Sequence, residues 1–167
     1  SDVCSSDLLP VVVSLAVVLL DQASKLAVTR WIPLHGTVTV IPGFFDLVHI
    51  RNRGMAFGIL NRPDANPAYY LLVGGTIAAV ILLLFWFRKT AGSNPKAGFG
   101  LALIIGGAVG NLIDRVRLRE VVDFLDVYAG SFHWPAFNVA DSAITVGSVW
   151  LAVVLLREGP PDEPARP

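Results

Sequence analysis

Two aspartates in the second half of the chain have the residue type and the surroundings for hydrolytic chemistry. Asp123 stands in the apolar run Val-Val-Asp-Phe, residues 121–124, where a lone carboxylate would be costly to bury. Asp141 follows Asn138 by three positions. Two carboxylates held close together in a low dielectric cannot both ionise, so they tend to share one proton. The ionised member can then take a proton from water, while the protonated member donates a hydrogen bond to a scissile carbonyl.

Several of the polar residues also have plainer interpretations. The spacing of Asn138 and Asp141 is that of a helix-capping pair, so Asp141 taken alone is a helix-start carboxylate. Asp21 and Lys25 have i, i+4 spacing, which fits an ion pair on one helix face as well as a role toward a substrate. The Gly-Gly-Ala-Val-Gly segment at 106–110 has small residues four positions apart, which predicts helix packing.

Other kinds of catalytic site find no support in the sequence. It contains no His-Glu-x-x-His and no Gly-x-Ser-x-Gly motif, and its histidines, His35, His49 and His133, are scattered. With Cys4 as the one cysteine, neither a disulfide nor a thiolate metal cluster can form within the chain. We therefore expect no metal and no cofactor. The formal net charge of zero gives no reason to expect nucleic acid.

The elements that must position these residues are membrane helices. The chain is 54% hydrophobic and 16% charged, with a mean hydropathy of +0.62, whereas soluble domains carry about 25% charged residues. Four stretches, at about 8–28, 68–87, 97–113 and 139–156, are long and apolar enough to cross a bilayer. We predict an all-α membrane protein with a single domain at 8–156, an atypical start at 1–7 and a disordered tail at 157–167.

The connections between the spans predict a small sheet and a convergence of polar residues. In the long connection at 31–67, alternation at 37–41 and 44–50 indicates two short strands, whereas 88–96 is a plain turn. Because successive spans reverse direction, the end of span 1, the end of span 3 and the start of span 4 lie at one membrane face. Polar and ionisable groups within or beside spans are functional candidates, and those at this face are Asp21, Lys25, Asn111, Asp114, Arg115, Asp123, Asn138 and Asp141.

The distribution of basic residues bears on orientation. The two long connections hold seven arginines, whereas the opposite face holds five lysines and arginines. The positive-inside rule would therefore place the long connections in the cytoplasm.

Five sequence blocks, in this order between the spans, resemble the bacterial lipoprotein signal peptidase (signal peptidase II) family over residues 8–156. They are Asp-Gln-Ala-Ser-Lys (21–25), Asn-Arg-Gly-Met-Ala-Phe (52–57), Gly-Gly-Ala-Val-Gly-Asn-Leu-Ile-Asp-Arg (106–115), Val-Val-Asp-Phe (121–124) and Phe-Asn-Val-Ala-Asp-Ser (137–142). Any one block would be weak, but the ordered set is highly specific. The acidic start at 1–7 departs from the family's usual beginning.

The resemblance implies an aspartic endopeptidase that cuts the signal peptide from diacylglyceryl-modified prolipoproteins, immediately before the lipidated cysteine. It implies Asp123 and Asp141 as the catalytic pair. Substrate-binding or supporting roles fall on Asn52, Asn111, Arg115, Asn138, Asp21, Lys25 and Asp114. The implied partners are the prolipoproteins and membrane lipids, and we expect a monomer.

The resemblance also implies a multi-pass protein of the bacterial inner membrane, with both termini cytoplasmic and the site at the outer leaflet. The strand-like region at 31–57 would then be an extracytoplasmic cradle, against the arginine count. Two other classes remain open, a small transporter or channel that uses Asp and Arg as an ion relay, and a non-catalytic scaffold. A relay would distribute charges through the membrane depth, whereas the middles of spans 2, 3 and 4 carry none.

Overall fold

The computed structural model describes residues 3–54 and 66–158, and its helices and strands confirm the predicted fold class. In chain order they are α1 Val3–Trp31, β1 Thr37–Ile41, β2 Phe45–Asn52, α2 Asn66–Thr90, α3 Pro95–Leu118, β3 Val121–Ala129, β4 Phe132–His133 and α4 Val139–Glu158. All four helices are long and apolar enough to cross a membrane.

The helices extend beyond the predicted spans. Span 3 was predicted to end at about residue 113, but α3 continues to Leu118 and ends where Arg119 takes a left-handed conformation, with φ at 61°. The N–H of Arg119 donates to the Arg115 carbonyl, which closes the last turn. At the ends of the chain, α1 includes residues of the atypical start, and α4 reaches Glu158, two residues into the predicted tail. Residues 159–167 of that tail lie outside the described residues.

α3 is the central helix of the bundle. It packs against α1, α2 and α4, and it begins where the side chain of Asn94 accepts a hydrogen bond from the N–H of Ala97 at 3.0 Å. Leu101 of α3 is fully buried in a cluster with Leu151 and Val154 of α4. The apolar window of α2, by contrast, has no buried residue, as is typical of a helix that faces lipid.

Glycines bring α3 into close contact with its neighbours. A Cβ on Gly107 would collide with the carbonyl oxygen of Ala140 in α4. A Cβ on Gly110 would lie 2.7 Å from Oδ2 of Asp21 in α1. The packing role predicted for residues 106–110 is therefore confirmed, and at Gly110 the close approach brings the backbone of α3 against a carboxylate.

Both long connections contribute to one antiparallel sheet, in the order β1-β2-β3-β4. The sequence indicated strands at 37–41 and 44–50, in the first connection only, so half of the sheet was missed. The first four residues of β3 are all buried, so this strand lacks the alternation that marks a half-buried one. The pairing of β2 with β3 sets Ile50 opposite Asp123 and Asn52 opposite Val121, which brings Asn52 beside the aspartate.

Candidate active site

Asp123 is buried on β3 and is held by two uncharged amides. Its Oδ1 accepts a hydrogen bond from Nδ2 of Asn138 at 2.7 Å, and its Oδ2 accepts one from Nδ2 of Asn52 at 3.1 Å. Burial, followed by the negative charge of Asp141, raises the pKa of Asp123 to about 7, against the opposing effects of these two hydrogen bonds and of Lys25. Near neutral pH this carboxyl group can therefore both hold and release a proton.

Asp141 lies in the first turn of α4 and its two oxygens have different partners. Oδ2 accepts a hydrogen bond from the N–H of Asn138 at 3.3 Å, while the N–H of Asp141 donates to Oδ1 of Asn138 at 2.9 Å. This reciprocal pair is the capping arrangement that the sequence left open. Oδ1 of Asp141 accepts instead from Nδ2 of Asn111 at 2.7 Å. Capping therefore occupies one oxygen and leaves the other oriented toward α3.

Asn138 connects the two aspartates. Its side chain is fully buried, with the nitrogen on Asp123 and the oxygen on the backbone of Asp141. The same nitrogen is also within 3.3 Å of the Val122 carbonyl and 3.2 Å of Oδ1 of Asn111. One amide thus fixes the strand that carries one carboxyl group relative to the helix that carries the other.

A second acidic cluster surrounds Lys25 on α1. Nζ of Lys25 lies 2.9 Å from Oδ2 of Asp21 and 2.9 Å from Oδ2 of Asp114, and it donates to Oδ1 of Asn111 at 2.9 Å. All four side chains are buried. Because an ammonium group can only donate, Asn111 must turn its oxygen to Lys25 and its nitrogen to Asp141. Lys25 therefore sets the direction of the amide that contacts Asp141.

The two carboxylates that contact Lys25 also accept hydrogen bonds from backbone N–H groups beside Asp123 and Asp141. Oδ1 of Asp21 accepts a hydrogen bond from the N–H of Ala140, one residue before Asp141, at 2.9 Å. Oδ2 of Asp114 accepts from the N–H of Val122, one residue before Asp123, at 3.2 Å. The ion pair of Asp21 with Lys25, which the sequence left open beside a role toward a substrate, is present.

Gln22 is a member of this cluster that sequence reasoning missed. Its Nε2 donates to Oδ2 of Asp21 at 3.1 Å, to Oδ1 of Asp114 at 3.0 Å and to the carbonyl oxygen of Gly110 at 3.2 Å. The available signal was its place between Asp21 and Lys25, on a helix surface that had to meet α3.

Asp123 and Asp141 line the same cavity, whose volume is about 550 Å³. Its polar lining includes Asn52, Asn111 and Arg115, and Nη2 of Arg115 donates to the Gly54 carbonyl at 3.4 Å. Much of the remaining lining is apolar, with Val121, Trp134, Phe137, Ile144 and Val146. The cavity can therefore hold an apolar chain beside two carboxyl groups. In residues 3–54 and 66–158, no three potential His, Cys, Asp or Glu ligands are grouped around a metal position.

The structure brings all of the predicted site residues to one end of the bundle. Those that line the cavity or bond to its carboxyl groups are Asn52, Asn111, Arg115, Asp123, Asn138 and Asp141. The remaining three, Asp21, Lys25 and Asp114, form the adjoining charged cluster. The middles of spans 2, 3 and 4 contribute to neither group.

Comparisons with known proteins agree on one family. The family model described as signal peptidase (SPase) II matches residues 13–157. The lipoprotein signal peptidase of Nitratidesulfovibrio vulgaris (strain DP4) is 50% identical over 146 residues, which cover 87% of this chain and 88% of that protein. That of Oleidesulfovibrio alaskensis is 48% identical over 141 residues, covering 84% of this chain and 90% of the relative.

Solved structures show the same likeness in three dimensions. A bacterial membrane enzyme solved by the in meso method at 2.3 Å resolution has a TM-score of 0.82 and 31% identity, covering 94% of this chain and 93% of its own. A second, at 1.9 Å resolution, has a TM-score of 0.78 and 33% identity, with coverage of 90% and 94%. The chain therefore belongs to the signal peptidase II family and is a membrane-spanning bacterial protease of the aspartic type.

Proposed function

We propose that the protein removes the signal peptide from diacylglyceryl-modified prolipoproteins, cutting just before the lipidated cysteine, with Asp123 and Asp141 as its catalytic pair. One observation carries this proposal: two carboxyl groups line a single cavity and are linked through Asn138. Within the described ranges neither carboxyl group forms an ion pair, so neither is neutralised by a bound cation.

In the proposed reaction Asp123 holds the shared proton and Asp141 is ionised. A water molecule bound between them attacks the scissile carbonyl carbon while Asp141 takes one of its protons. The proton of Asp123 is donated to the carbonyl oxygen, which stabilises the tetrahedral intermediate. Transfer of a proton to the amide nitrogen then breaks the C–N bond, releasing the signal peptide with a new carboxyl end and the lipoprotein with a free cysteine amine.

The surrounding groups have supporting roles in this proposal. Asn52, Asn138 and Asn111 hold the two carboxyl groups by hydrogen bonds, and Lys25 keeps Asn111 turned so that it donates to Asp141. Arg115, on the polar side of the cavity, is placed to bind the polar part of a lipid-linked substrate. The apolar lining provides a surface for its acyl chains.

We further propose that the protein is a monomer in the bacterial inner membrane, with both termini in the cytoplasm and the cavity at the outer leaflet. In this orientation the sheet and the long connections lie outside the cytoplasm, contrary to what the positive-inside rule predicts from their arginines. We choose it because the cleavage point of an exported precursor emerges on the outer side of the membrane.

The function is tested with purified protein in detergent and a diacylglyceryl-modified prolipoprotein, with the size shift followed on a gel. We expect cleavage of the modified precursor and none of the same precursor without the diacylglyceryl group. Arg115→Ala should slow cleavage, whereas Arg157→Ala, at the other end of the bundle, should not. Efficient cutting of the unmodified precursor would contradict the assigned substrate class.

The orientation is tested separately by cysteine labelling. In a Cys4→Ser background, single cysteines replace Ser131, in the exposed turn between β3 and β4, or Ser93, in the exposed turn between α2 and α3. A membrane-impermeant thiol reagent applied to cells with a permeable outer membrane should label position 131 and spare position 93. The reverse pattern would place the carboxyl pair in the cytoplasm and overturn the proposal.

A further inference from the structure

Two neighbouring segments at the cavity end of the bundle carry four arginines that have no part in the proposed reaction. They are Arg51 and Arg53 at the end of β2, and Arg117 and Arg119 at the end of α3, and we refer to them as the arginine patch. All four are exposed. The one acidic residue within segments 51–53 and 117–120 is Glu120, so four positive charges against one negative charge leave an excess of three.

Glu120 holds two members of the patch in place. Nε of Arg53 lies 2.7 Å from Oε1 of Glu120, and Nη1 of Arg51 lies 3.7 Å from Oε2. The Glu120 side chain is only 13% exposed, whereas those of Arg51 and Arg53 are 37% and 50% exposed. The Glu120 carboxylate therefore lies beneath two guanidinium groups that remain exposed. Because these ion pairs already restrict the two arginine side chains, the side chains would lose less conformational entropy on binding an anion.

The neighbours of the patch place it at headgroup depth. Val116 and Leu118, on either side of Arg117, are 62% and 37% exposed on a helix that crosses the membrane. The side chain of Arg117 makes no hydrogen bond or ion pair to other described residues, as fits a side chain that extends toward an interface. Cζ of Arg119 lies 5.4 Å from the ring centre of Tyr69, at the start of the α2 span, and tyrosines concentrate at membrane interfaces.

We propose that the arginine patch binds the phosphate of anionic phospholipid headgroups. Guanidinium groups bind phosphate oxygens through paired hydrogen bonds, and each basic side chain near an anionic bilayer adds to the attraction. A lipid is a better match than a soluble phosphate ion, because Val116 and Leu118 offer apolar contact to acyl chains directly beside the charges. Such binding also accounts for the arginines that accumulate on this face. The inference does not rest on the proposed cleavage reaction.

A site-specific quenching experiment tests this inference. In a Cys4→Ser background, Val116→Cys carries a fluorophore, and the full chain is reconstituted into phosphatidylcholine vesicles that contain phosphatidylglycerol. Either lipid carries an acyl-chain nitroxide, so quenching reports which lipid contacts α3 beside the patch. We expect phosphatidylglycerol to quench more strongly than phosphatidylcholine at equal mole fraction. Equal quenching by the two lipids would overturn the inference, whichever way the protein faces.

Matched variants separate the patch from general charge effects. Arg117→Gln with Arg119→Gln should reduce the preference for phosphatidylglycerol by roughly fivefold for each arginine removed. Arg88→Gln with Lys89→Gln makes the same charge change at the other end of α2 and should leave quenching at position 116 unchanged. An equal loss in both double variants would overturn the inference. So would displacement of the lipid preference by millimolar inorganic phosphate, which would identify a site for the free ion.

Discussion

Two acidic clusters lie side by side at one end of the bundle, and they differ in how their charge is balanced. Asp21 and Asp114 share the ammonium group of Lys25 at 2.9 Å each. Asp123 and Asp141 are held by asparagine amides and a backbone N–H. The ammonium group of a lysine supplies both hydrogen bonds and a counter-charge to a carboxylate, whereas an amide supplies hydrogen bonds alone. Asp21, Asp114 and Asp123 are all buried, so the comparison teaches that the two clusters differ in the partner of the carboxyl group, which is a cation in one and a neutral amide in the other.

Replacing a member of the amide-held pair should have the largest effect on activity. We expect Asp123→Asn and Asp141→Asn each to reduce cleavage by roughly a thousandfold or more, because an amide cannot accept or return the proton. Both variants should remain folded, as judged by thermal unfolding in detergent. Near-normal turnover in either would remove that residue from the proposed pair.

Replacing Lys25 should instead lower the stability of the folded protein. Lys25→Met leaves Asp21 and Asp114 as uncompensated buried charges, and loss of one partner of a buried ion pair costs about 3–5 kcal/mol. The free energy of unfolding, from denaturant titration in micelles, should fall by about that amount. Lys96→Met, an exposed lysine in the first turn of α3, is the matched control and should change little. Similar stability of the two variants would mean that the Lys25 cluster is not a structural centre.

Asp114→Asn should have an intermediate effect and so sharpen the comparison. Its oxygen can still accept from the N–H of Val122, but its charge opposite Lys25 is lost. We expect cleavage to fall by about tenfold, consistent with the loss of one charged hydrogen bond. Initial rates at several substrate concentrations would separate kcat from KM. Complete inactivation of a folded Asp114→Asn protein would erase the distinction between the two clusters.

A pH dependence of stability is expected as well. The pKa of Asp123 is about 7 in the folded protein, against an ordinary value of 3.8. Between these values the folded state holds one proton more than the unfolded state, so the free energy of unfolding falls as pH rises, by at most about 1.4 kcal/mol per pH unit. Above pH 7 the dependence should level off.

Asp123→Asn lacks this titration and is the control for it. The difference in free energy of unfolding between Asp123→Asn and the parent protein should therefore grow from about pH 4 to about pH 7. If the plots of unfolding free energy against pH were parallel for the two proteins over that range, Asp123 would titrate at its ordinary pKa. The proposal that Asp123 holds the shared proton would then lose its support.

Much of the arrangement could be predicted from sequence because charged residues are rare in the spans. The reversal of direction at each span was enough to bring the ends that carry Asp21, Asp114 and Asp141 together. β3 was missed because its first residues are buried on both faces, so the chain shows no alternation there. Gln22 was missed because its role depends on contacts with Gly110 and Asp114 of α3, which follow from how α1 and α3 pack.

The features that the sequence did not predict depend on tertiary contacts. The sequence could not show that Asp141 caps α4 with one oxygen and meets Asn111 with the other, because that depends on how α3 and α4 pack. It equally could not show that Glu120 lies behind Arg51 and Arg53, since these residues are joined only through the pairing of β2 with β3. The functional roles of the site residues stay predictions until the variants are measured.

The hydrogen bond from the N–H of Ala140 to Asp21 has a consequence for biogenesis. It joins residues that are 119 positions apart, on the first and last helices of the bundle. During synthesis α1 enters the bilayer long before α4 exists, so the carboxyl pair cannot be assembled on an incomplete chain. A nascent protein paused before α4 would contain Asp123 without Asp141. The proposed protease would thus become active only once its own insertion is complete.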